Sequence, residues 1–162
     1  MDSWVDGQPA DALSLKDRGL AYGDGLFETI AVHGGQPVLL DRHLTRLAEG
    51  CSRLAIAADI ERVRSELLAY AAAMGEGVLK LILTRGDGLR GYAPDPAAQG
   101  RRILQGNPPA AYPAVHGEQG VRLFPCVTRL SNQPLLAGLK HLNRLEQVLA
   151  RGEWRDGFSP DA

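Results

Sequence analysis

The amino-acid sequence predicts an α+β protein with a small N-terminal domain and the beginning of a larger second domain. Strand-like runs with glycine turns are mixed with segments in which apolar residues recur at helical spacing. The prolines of "NPPAAYPAV" then interrupt regular structure. We therefore expect a first domain at residues 1–107, a proline-rich linker at 108–118 and an incomplete second domain at 119–162.

The first forty residues are expected to form strands joined by tight turns. In chain order, the pattern predicts a short strand and turn at 4–8, a bend at Gly23 and Gly25, a strand at 26–32, a hairpin turn at Gly34 and Gly35, and a returning strand at 38–40. Phe27 and Glu28 are neighbours on the longest of these strands, so one of the two faces away from the core.

Two amphipathic helices are expected next. The first covers residues 42–56, with Asp41 as its N-cap. Its apolar stripe recurs at periods of three and four and consists of Leu44, Leu47, Cys51 and Leu54. The second covers about 60–74, with Asp59 as its N-cap and glycines after its last residue.

The rest of the chain predicts three strands and a final helix. The strands are "GVLKLILTRG", "RRILQGN" and "GVRLFPCVTRL", and a loop rich in glycine and proline, "DGLRGYAPDPAAQGR", separates the first two. Leucines at 139, 142, 145 and 149 predict a helix from about residue 139 to 151. Lys140 would then lie in the first helical turn, where the helix dipole disfavours an ammonium group.

Composition excludes several classes of function. Lysine and arginine number 18 against 19 acidic residues, so a general nucleic-acid or acidic-membrane binder is disfavoured. No apolar run approaches the roughly 20 residues of a membrane span, and the polar N-terminus is no signal peptide. Two distant cysteines form neither a zinc pattern nor a disulfide framework, so we expect a cytoplasmic protein.

A few side chains are candidates for chemistry. Lys140 is either a solvated helix lysine or an amine that is easily deprotonated, as a nucleophilic lysine must be. Arg85 and Arg90 lie on a glycine loop directly after a buried strand, where paired arginines would suit a substrate with carboxylates. Arg46 lies on a helix and is either a solvent-facing charge or a phosphate-binding group.

Four blocks of sequence together resemble the fold-type IV pyridoxal-phosphate enzymes, and most of all their aminodeoxychorismate lyase branch. The blocks are "DRGLAYGDGLFETI", "LLDRHLTRL", "GVLKLILTRGDGLRGY" and "LLAGLKHLNRLEQVLAR", and they span about residues 4–151 in the order found in that family. The resemblance implies the conversion of 4-amino-4-deoxychorismate to 4-aminobenzoate and pyruvate in folate biosynthesis, by a homodimer.

The resemblance also implies roles for single residues. Lys140 matches the lysine that binds pyridoxal 5'-phosphate covalently and moves protons. Arg46 matches the arginine that contacts the cofactor phosphate. Phe27, Arg90, Tyr92 and Asn143 match positions in or near the substrate pocket.

The resemblance leaves part of the site unassigned. Members of that family are longer, and their acidic partner of the pyridine nitrogen follows the lysine segment, so no residue of this chain matches it. We therefore expect a fragment that is inactive alone. Two alternatives remain: a D-amino-acid or branched-chain aminotransferase of the same fold, and a binding module of this fold that lacks the cofactor.

Overall fold

A computed structural model describes residues 2–109 and 111–155 of the chain. These residues belong to two compact units. The first consists of Met1–Ala110 together with Gly138–Leu142, and the second consists of Ala111–Ala137 together with Asn143–Ala162. The short segment around Lys140 therefore belongs to the first unit, although the residues just before and after it belong to the second.

The first unit is built on one six-stranded sheet. Its strands, in chain order, are β1 Trp4–Val5, β2 Gln8–Pro9, β3 Gly25–His33, β4 Gln36–Pro37, β5 Gly77–Thr84 and β6 Arg101–Asn107. Their spatial order is β2-β1-β6-β5-β3-β4, and each recorded pairing is antiparallel. β3 and β5 form the centre, in a register that runs from Gly25↔Thr84 to Val32↔Gly77.

Alternation along the strands gives the sheet two different faces. Leu26, Ile30 and Val32 of β3 are buried, and so are Leu79, Leu81 and Leu83 of β5. The helices α2, Leu40–Leu54, and α3, Ile60–Met74, cover this face, with α2 packed on β3 and α3 on β4, β5 and β6. The opposite face carries the other residues of β3 and β5, which are half-buried or exposed apart from the paired Gly25 and Thr84.

The predictions for α3, β5 and β6 are confirmed. Asp59 caps α3 by accepting a hydrogen bond from the Arg62 amide at 3.0 Å. The N-terminal strand and turn and the hairpin turn at Gly34 and Gly35 are also present. A short helix that was not predicted, α1 Arg18–Tyr22, precedes β3, and its N-cap is Asp17.

The predicted strand at 38–40 is wrong, and so is the predicted cap at Asp41. Val38 donates one further hairpin hydrogen bond to the Ala31 carbonyl, at 2.8 Å. Leu39 then adopts a left-handed conformation with φ 54°, and this sharp turn starts α2 at Leu40. The Asp41 carboxylate is not free to cap, since it lies 2.8 Å from Nη1 of Arg64 on α3.

The described residues of the second unit form two helices, α4 Val115–Gln119 and α5 Leu145–Gly152, and a 3₁₀ turn at Glu153–Arg155. The predicted strand "GVRLFPCVTRL" is wrong, since residues 121–130 form no strand. The amides of Val127 and Thr128 instead donate to the Glu153 carboxylate, each at 2.7 Å. For these two amides, one side-chain carboxylate thus takes the place of a neighbouring strand.

The predicted start of the last helix at about residue 139 is wrong as well. Gly138 has φ 80°, and the helix α5 begins only at Leu145, after the N-cap Arg144. Lys140 therefore lies outside any helix, and the expected effect of a helix dipole on its amine does not apply. Within the residues described, no helix is both long enough and apolar enough to cross a membrane.

Candidate active site

Lys140 is attached to the sheet through its main chain. The Phe27 amide donates to the Lys140 carbonyl at 2.9 Å, and the Leu142 amide donates to the Gly25 carbonyl at 3.0 Å. His141 and Leu26 form the antiparallel bridge between these two hydrogen bonds. Residues 140–142 thus act as a short strand on the edge of β3 that β4 leaves unpaired at this end.

The side chain of Lys140 lies against an aromatic ring on the open face of the sheet. Its Nζ is 4.2 Å from the centroid of the Phe27 ring, a distance typical of a cation–π contact. The Nζ of Lys80, on β5, lies 5.7 Å from the same centroid. Two lysine amines therefore approach one aromatic ring.

The opposite face of β3 holds a buried carboxylate directly beside Phe27. Glu28 is 1% exposed and accepts from Nε of Arg46 at 2.7 Å and from Nη2 of Arg46 at 2.5 Å. Nδ1 of His43 lies 2.7 Å from Oε2 of the same carboxylate. Both partners project from α2, so Glu28 joins the central strand to that helix by a forked, charge-assisted contact.

Glu28 carries its charge at neutral pH in spite of its burial. Burial alone would raise the pKa of this carboxyl, but the hydrogen bonds from Arg46 and His43 outweigh burial and hold the pKa below its ordinary value. The same contact raises the pKa of Arg46. The Arg46 side chain stays 48% exposed, and no residue in the described part of the chain accepts from its Nη1. Arg46 can therefore offer donors to an external anion while Glu28 fixes its orientation.

The loop between β5 and β6 carries Arg90 and Tyr92. Both side chains are exposed, Tyr92 by 85%. Their backbone is anchored by Arg18 of α1, which is only 4% exposed. Nη1 of Arg18 donates to the Gly91 carbonyl at 3.0 Å, and Nη2 donates to the Tyr92 carbonyl at 2.8 Å.

Asp24 connects this anchor to the rest of the sheet. It accepts from Nε of Arg18 at 2.9 Å and from Nε of Arg85 at 2.8 Å. Burial would raise the pKa of Asp24, but the two arginines outweigh it and lower the pKa. Arg85 also donates to the carbonyls of Leu54 and Ala55, where α2 ends. The expectation that Arg85 serves a substrate as a loop cation is therefore wrong, because the fold uses its donors.

Asn143 is the one predicted site residue that belongs to the second unit, where it is exposed. Phe27, Lys140, Arg46, Arg90 and Tyr92 all belong to the first unit. Within it, Phe27 and Lys140 are in contact on the open face of the sheet, whereas Arg46 pairs with Glu28, the next residue of β3, on the face that the helices cover.

Sequence reasoning gave no role to Arg18, Asp24, Glu28 or Lys80. Strand alternation did predict that Phe27 and Glu28 face opposite ways, and the charged residue is the one turned inward. Lys80 could have been found by the same alternation, as a cation in the middle of an otherwise apolar central strand. Arg18 and Asp24 have no periodic signal, since they pair with each other across a turn and their other partners are distant in sequence.

The family of the chain follows from comparison with known proteins. Residues 25–158 match the model of the amino-transferase class IV family, so the chain belongs to that family. It is 40% identical to the aminodeoxychorismate lyase of Vibrio harveyi over 153 residues, which are 93% of this chain and 56% of that protein. The chain thus spans little more than half the length of this relative.

Solved structures agree with this assignment. The 4-amino-4-deoxychorismate lyase of Pseudomonas aeruginosa is 68% identical, with a TM-score of 0.93 over 96% of this chain and 57% of that one. A hypothetical aminotransferase of Mycobacterium tuberculosis in its PLP-bound form is 24% identical, with a TM-score of 0.55 over 65% of this chain and 39% of that one. The second likeness shows a shared fold only. The predicted fold class and the predicted resemblance are confirmed.

Proposed function

We propose that the protein to which this chain belongs is an aminodeoxychorismate lyase, which uses pyridoxal phosphate to convert 4-amino-4-deoxychorismate to 4-aminobenzoate and pyruvate. The observation that supports this most is the placement of Lys140, whose main chain is paired with β3 and whose amine lies on the Phe27 ring. The identity to two lyases, 40% and 68%, favours this activity over amino transfer.

The residues present fit the cofactor. Lys140 offers a primary amine beside an apolar ring, which suits covalent binding of an aldehyde. Arg46 offers the donors of a half-exposed guanidinium whose direction Glu28 fixes, which suits a phosphate group. When bound, pyridoxal phosphate withdraws electrons from the substrate carbon that carries the amine, and so makes the proton on that carbon acidic.

Lys140 then acts as the base. Its Nζ in the neutral form accepts the proton from the amine-bearing ring carbon, and the contact with the Phe27 ring holds this nitrogen on the open face of the sheet. The bond between the ring and the enolpyruvyl oxygen then breaks, and the leaving enolpyruvate takes up the proton that Lys140 holds and becomes pyruvate. The ring left behind is aromatic, which supplies driving force. The main-chain hydrogen bonds of residues 140–142 keep the amine within reach through these changes.

Cations near the lysine suit a substrate with two carboxylates. Lys80 lies on the same ring as Lys140, and no described carboxylate forms an ion pair with it. A half-buried lysine without such a partner is stabilised by an anionic ligand. We assign Lys80 to one substrate carboxylate and Arg90 to a second contact, with Phe27 and Tyr92 as walls of the pocket and Asn143 as a polar group near the cofactor.

The test uses protein expressed from the complete gene. Borohydride reduction of the cofactor-loaded protein, followed by peptide mass spectrometry, is expected to place the label on Lys140. Lys140→Ala is expected to release pyruvate at a rate at least about 1,000-fold lower, since the base and the attachment point are both lost. Lys16→Ala, which removes another of the three lysines, is the matched control and keeps its rate.

Three results would contradict this function. A label on another lysine, or on none, removes Lys140 from the chemistry. Transfer of an amino group from D-alanine, glutamate or a branched-chain amino acid, without pyruvate release from 4-amino-4-deoxychorismate, makes the protein an aminotransferase instead. A parent protein that binds no pyridoxal phosphate is a binding module of this fold.

We further propose that the enzyme is a cytoplasmic homodimer that serves folate synthesis. Both cysteines are free thiols, as expected in a reducing compartment, with Cys51 buried and Cys126 exposed. The half-buried apolar residues on the open face of the sheet, Phe27, Val78 and Ile82, are suited to further burial by a partner. Sedimentation of the parent protein at twice the monomer mass is the expected result, and a monomer that is fully active would exclude the dimer.

A further inference from the structure

The loop between β5 and β6 needs an external anchor. Residues 85–100 join the two strands and contain no helix or strand longer than an isolated bridge. The side chains at its tip face outward, with Leu89 88% and Tyr92 85% exposed. A loop whose tip has no buried side chain gains little from packing there and pays the full entropy of being ordered. Its conformation must therefore be fixed by contacts to its backbone.

Arg18 supplies these contacts at one particular residue. Its two terminal nitrogens donate to consecutive carbonyls, those of Gly91 and Tyr92, at 3.0 and 2.8 Å. These carbonyls belong to the peptide groups on either side of the Tyr92 Cα. Holding both peptide planes fixes the backbone dihedrals of Tyr92, and with them the direction of its side chain.

Tyr22, at the end of α1, completes the anchor. Its hydroxyl accepts from the Gly91 amide at 3.2 Å, and its ring packs edge-on against the Tyr92 ring, with centroids 5.6 Å apart. The Arg18 guanidinium lies 4.9 Å from the centroid of the Tyr22 ring. Arg18 and Tyr22 thus hold the same two loop residues from one side.

The loop sequence is matched to the arginine that crosses it. A methyl group on Gly88 would lie 2.7 Å from Cδ of Arg18, so only glycine leaves room for this side chain. The Gly88 amide in turn donates to the Lys16 carbonyl at 3.0 Å, and the Arg18 amide donates to the Gly86 carbonyl at 2.8 Å. The charge that Arg18 brings into this buried position is balanced by Asp24, at 2.9 Å.

We propose that Arg18 is a positioning residue for substrate binding, which acts by fixing the loop backbone so that Arg90 and Tyr92 face an anionic substrate. This rests on the proposed function, since it assigns the two loop side chains to a dicarboxylate substrate. Arg18 is itself nearly inaccessible and acts only through the loop. Its loss therefore raises KM and leaves the proton transfer at Lys140 largely intact.

The first test is kinetic and uses protein from the complete gene. Arg18→Met is expected to raise KM for 4-amino-4-deoxychorismate at least about 10-fold, with kcat reduced less than about 3-fold and the lysine–cofactor absorbance band unchanged. In a protein that already carries Arg90→Ala and Tyr92→Ala, Arg18→Met is expected to raise KM by a further factor of less than about 3, because the side chains that Arg18 positions are gone.

Arg102→Met is the matched control. Arg102 is also largely buried and pairs with Glu66 and Asp6, and the hydrogen bond that it gives to the loop goes to the last loop residue, at the Gly100 carbonyl 3.3 Å away, and not to the tip. This variant is expected to lose stability without a change in KM. An Arg18→Met variant whose KM stays within 2-fold of the parent overturns the proposal. If Arg18→Met does not fold, Arg18→Lys replaces it. This variant keeps a cation beside Asp24 but cannot donate to two carbonyls at once, so its KM is also expected to rise, and a KM within 2-fold of the parent overturns the proposal.

The second test does not depend on activity. Trypsin cleavage after the exposed Arg90 of the folded protein is expected to be at least about 10-fold faster in Arg18→Met and unchanged in Arg102→Met. Equal cleavage rates in Arg18→Met and the parent overturn the anchor itself. If Arg18→Met is cleaved faster but the parent protein releases no pyruvate, the loop anchor is supported, while the proposed function and the substrate assignment are both refuted.

Discussion

Lys140 and the loop that carries Arg90 are held in place by two different kinds of contact. Lys140 is fixed by main-chain hydrogen bonds to β3, which any residue except proline could form. The loop is fixed by one buried side chain, Arg18, and the Arg46 guanidinium is likewise fixed by the buried Glu28 carboxylate. Main-chain pairing tolerates most substitutions and does not titrate, whereas buried ion pairs depend on single residues and on pH.

The largest expected effect comes from removing the buried carboxylate of Glu28, one of the side-chain anchors. Glu28→Ala leaves Arg46 and His43 without their carboxylate and creates a cavity beneath α2, so the free energy of unfolding is expected to fall by about 3–5 kcal/mol. Urea denaturation of the parent and the variant measures this difference. Glu76→Gln is the control, since Glu76 forms an exposed pair with His33, and it is expected to leave the denaturation midpoint in place. Equal losses of unfolding free energy in the two variants would show that the burial of Glu28 does not explain its contribution to stability.

The next effect breaks the main-chain anchor. Leu142→Pro removes the amide that donates to the Gly25 carbonyl, so the segment that carries Lys140 is expected to shift and pyruvate release to fall about 100-fold. Leu142→Ala keeps this amide and is expected to retain activity within about 5-fold. Rates are compared per mole of folded protein, as judged by tryptophan fluorescence. Similar losses in both variants would show that the leucine side chain, and not the backbone, places the lysine.

A substitution with a smaller expected effect tests how closely β5 and the Lys140 segment approach Gly25 of β3. A methyl group on Gly25 would lie 2.5 Å from the Leu83 carbonyl and 2.8 Å from a methyl group of Leu142. Gly25→Ala is therefore expected to lower the free energy of unfolding by about 1–3 kcal/mol. In Gly117→Ala, where a methyl group meets nothing within 4 Å, the free energy of unfolding is expected to stay or to rise slightly. Thermal melts of both variants measure the contrast, and a Gly25→Ala protein as stable as Gly117→Ala would contradict the close approach.

The smallest expected effect is a dependence of stability on pH, which the buried ion pairs have and the main-chain hydrogen bonds lack. The pKa values of Glu28 and Asp24 are lower in the folded protein than their ordinary values of 4.5 and 3.8, so both groups release protons on folding. Their contribution to stability is complete above the ordinary values and is lost as the pH falls through the lower, folded values. Stability of the parent should therefore decline in acid, and the decline should be weaker in Glu28→Gln. An identical pH profile in Glu28→Gln would remove Glu28 from this linkage.

Sequence reasoning succeeded where the signal is local. The helix α3, with its Asp59 cap, and the strands β5 and β6 follow from apolar periodicity and neighbouring turn residues, and their bounds agree with the structure. Lys140 was found as a candidate, but its environment was predicted wrongly. Leu139 and Leu142 continue the helical spacing of the later leucines, yet their segment pairs with residues more than 110 positions earlier. A periodic pattern cannot reveal such a distant partner.

The ion pairs were beyond sequence reasoning for a related reason. Charged residues are ordinarily assigned to the surface, so burial of Arg18, Glu28 and Asp17 contradicts the usual pattern. Each of these groups is compensated by a partner that only the folded chain brings near, such as Arg101 for Asp17 at 2.6 Å. The left-handed Leu39 was missed because leucine carries no signal for that conformation, which costs it energy.

The return of residues 138–142 to the sheet has a consequence for biosynthesis. All the other strands of this sheet are complete once Asn107 has been made, but the partner for the first residues of β3 ends at Leu142. At roughly 5–20 residues per second, a ribosome needs several seconds to deliver that segment. During this interval the nascent chain presents an unpaired β edge at the place where the Lys140 segment will later pair, and a chaperone or another polypeptide has the opportunity to dock there first.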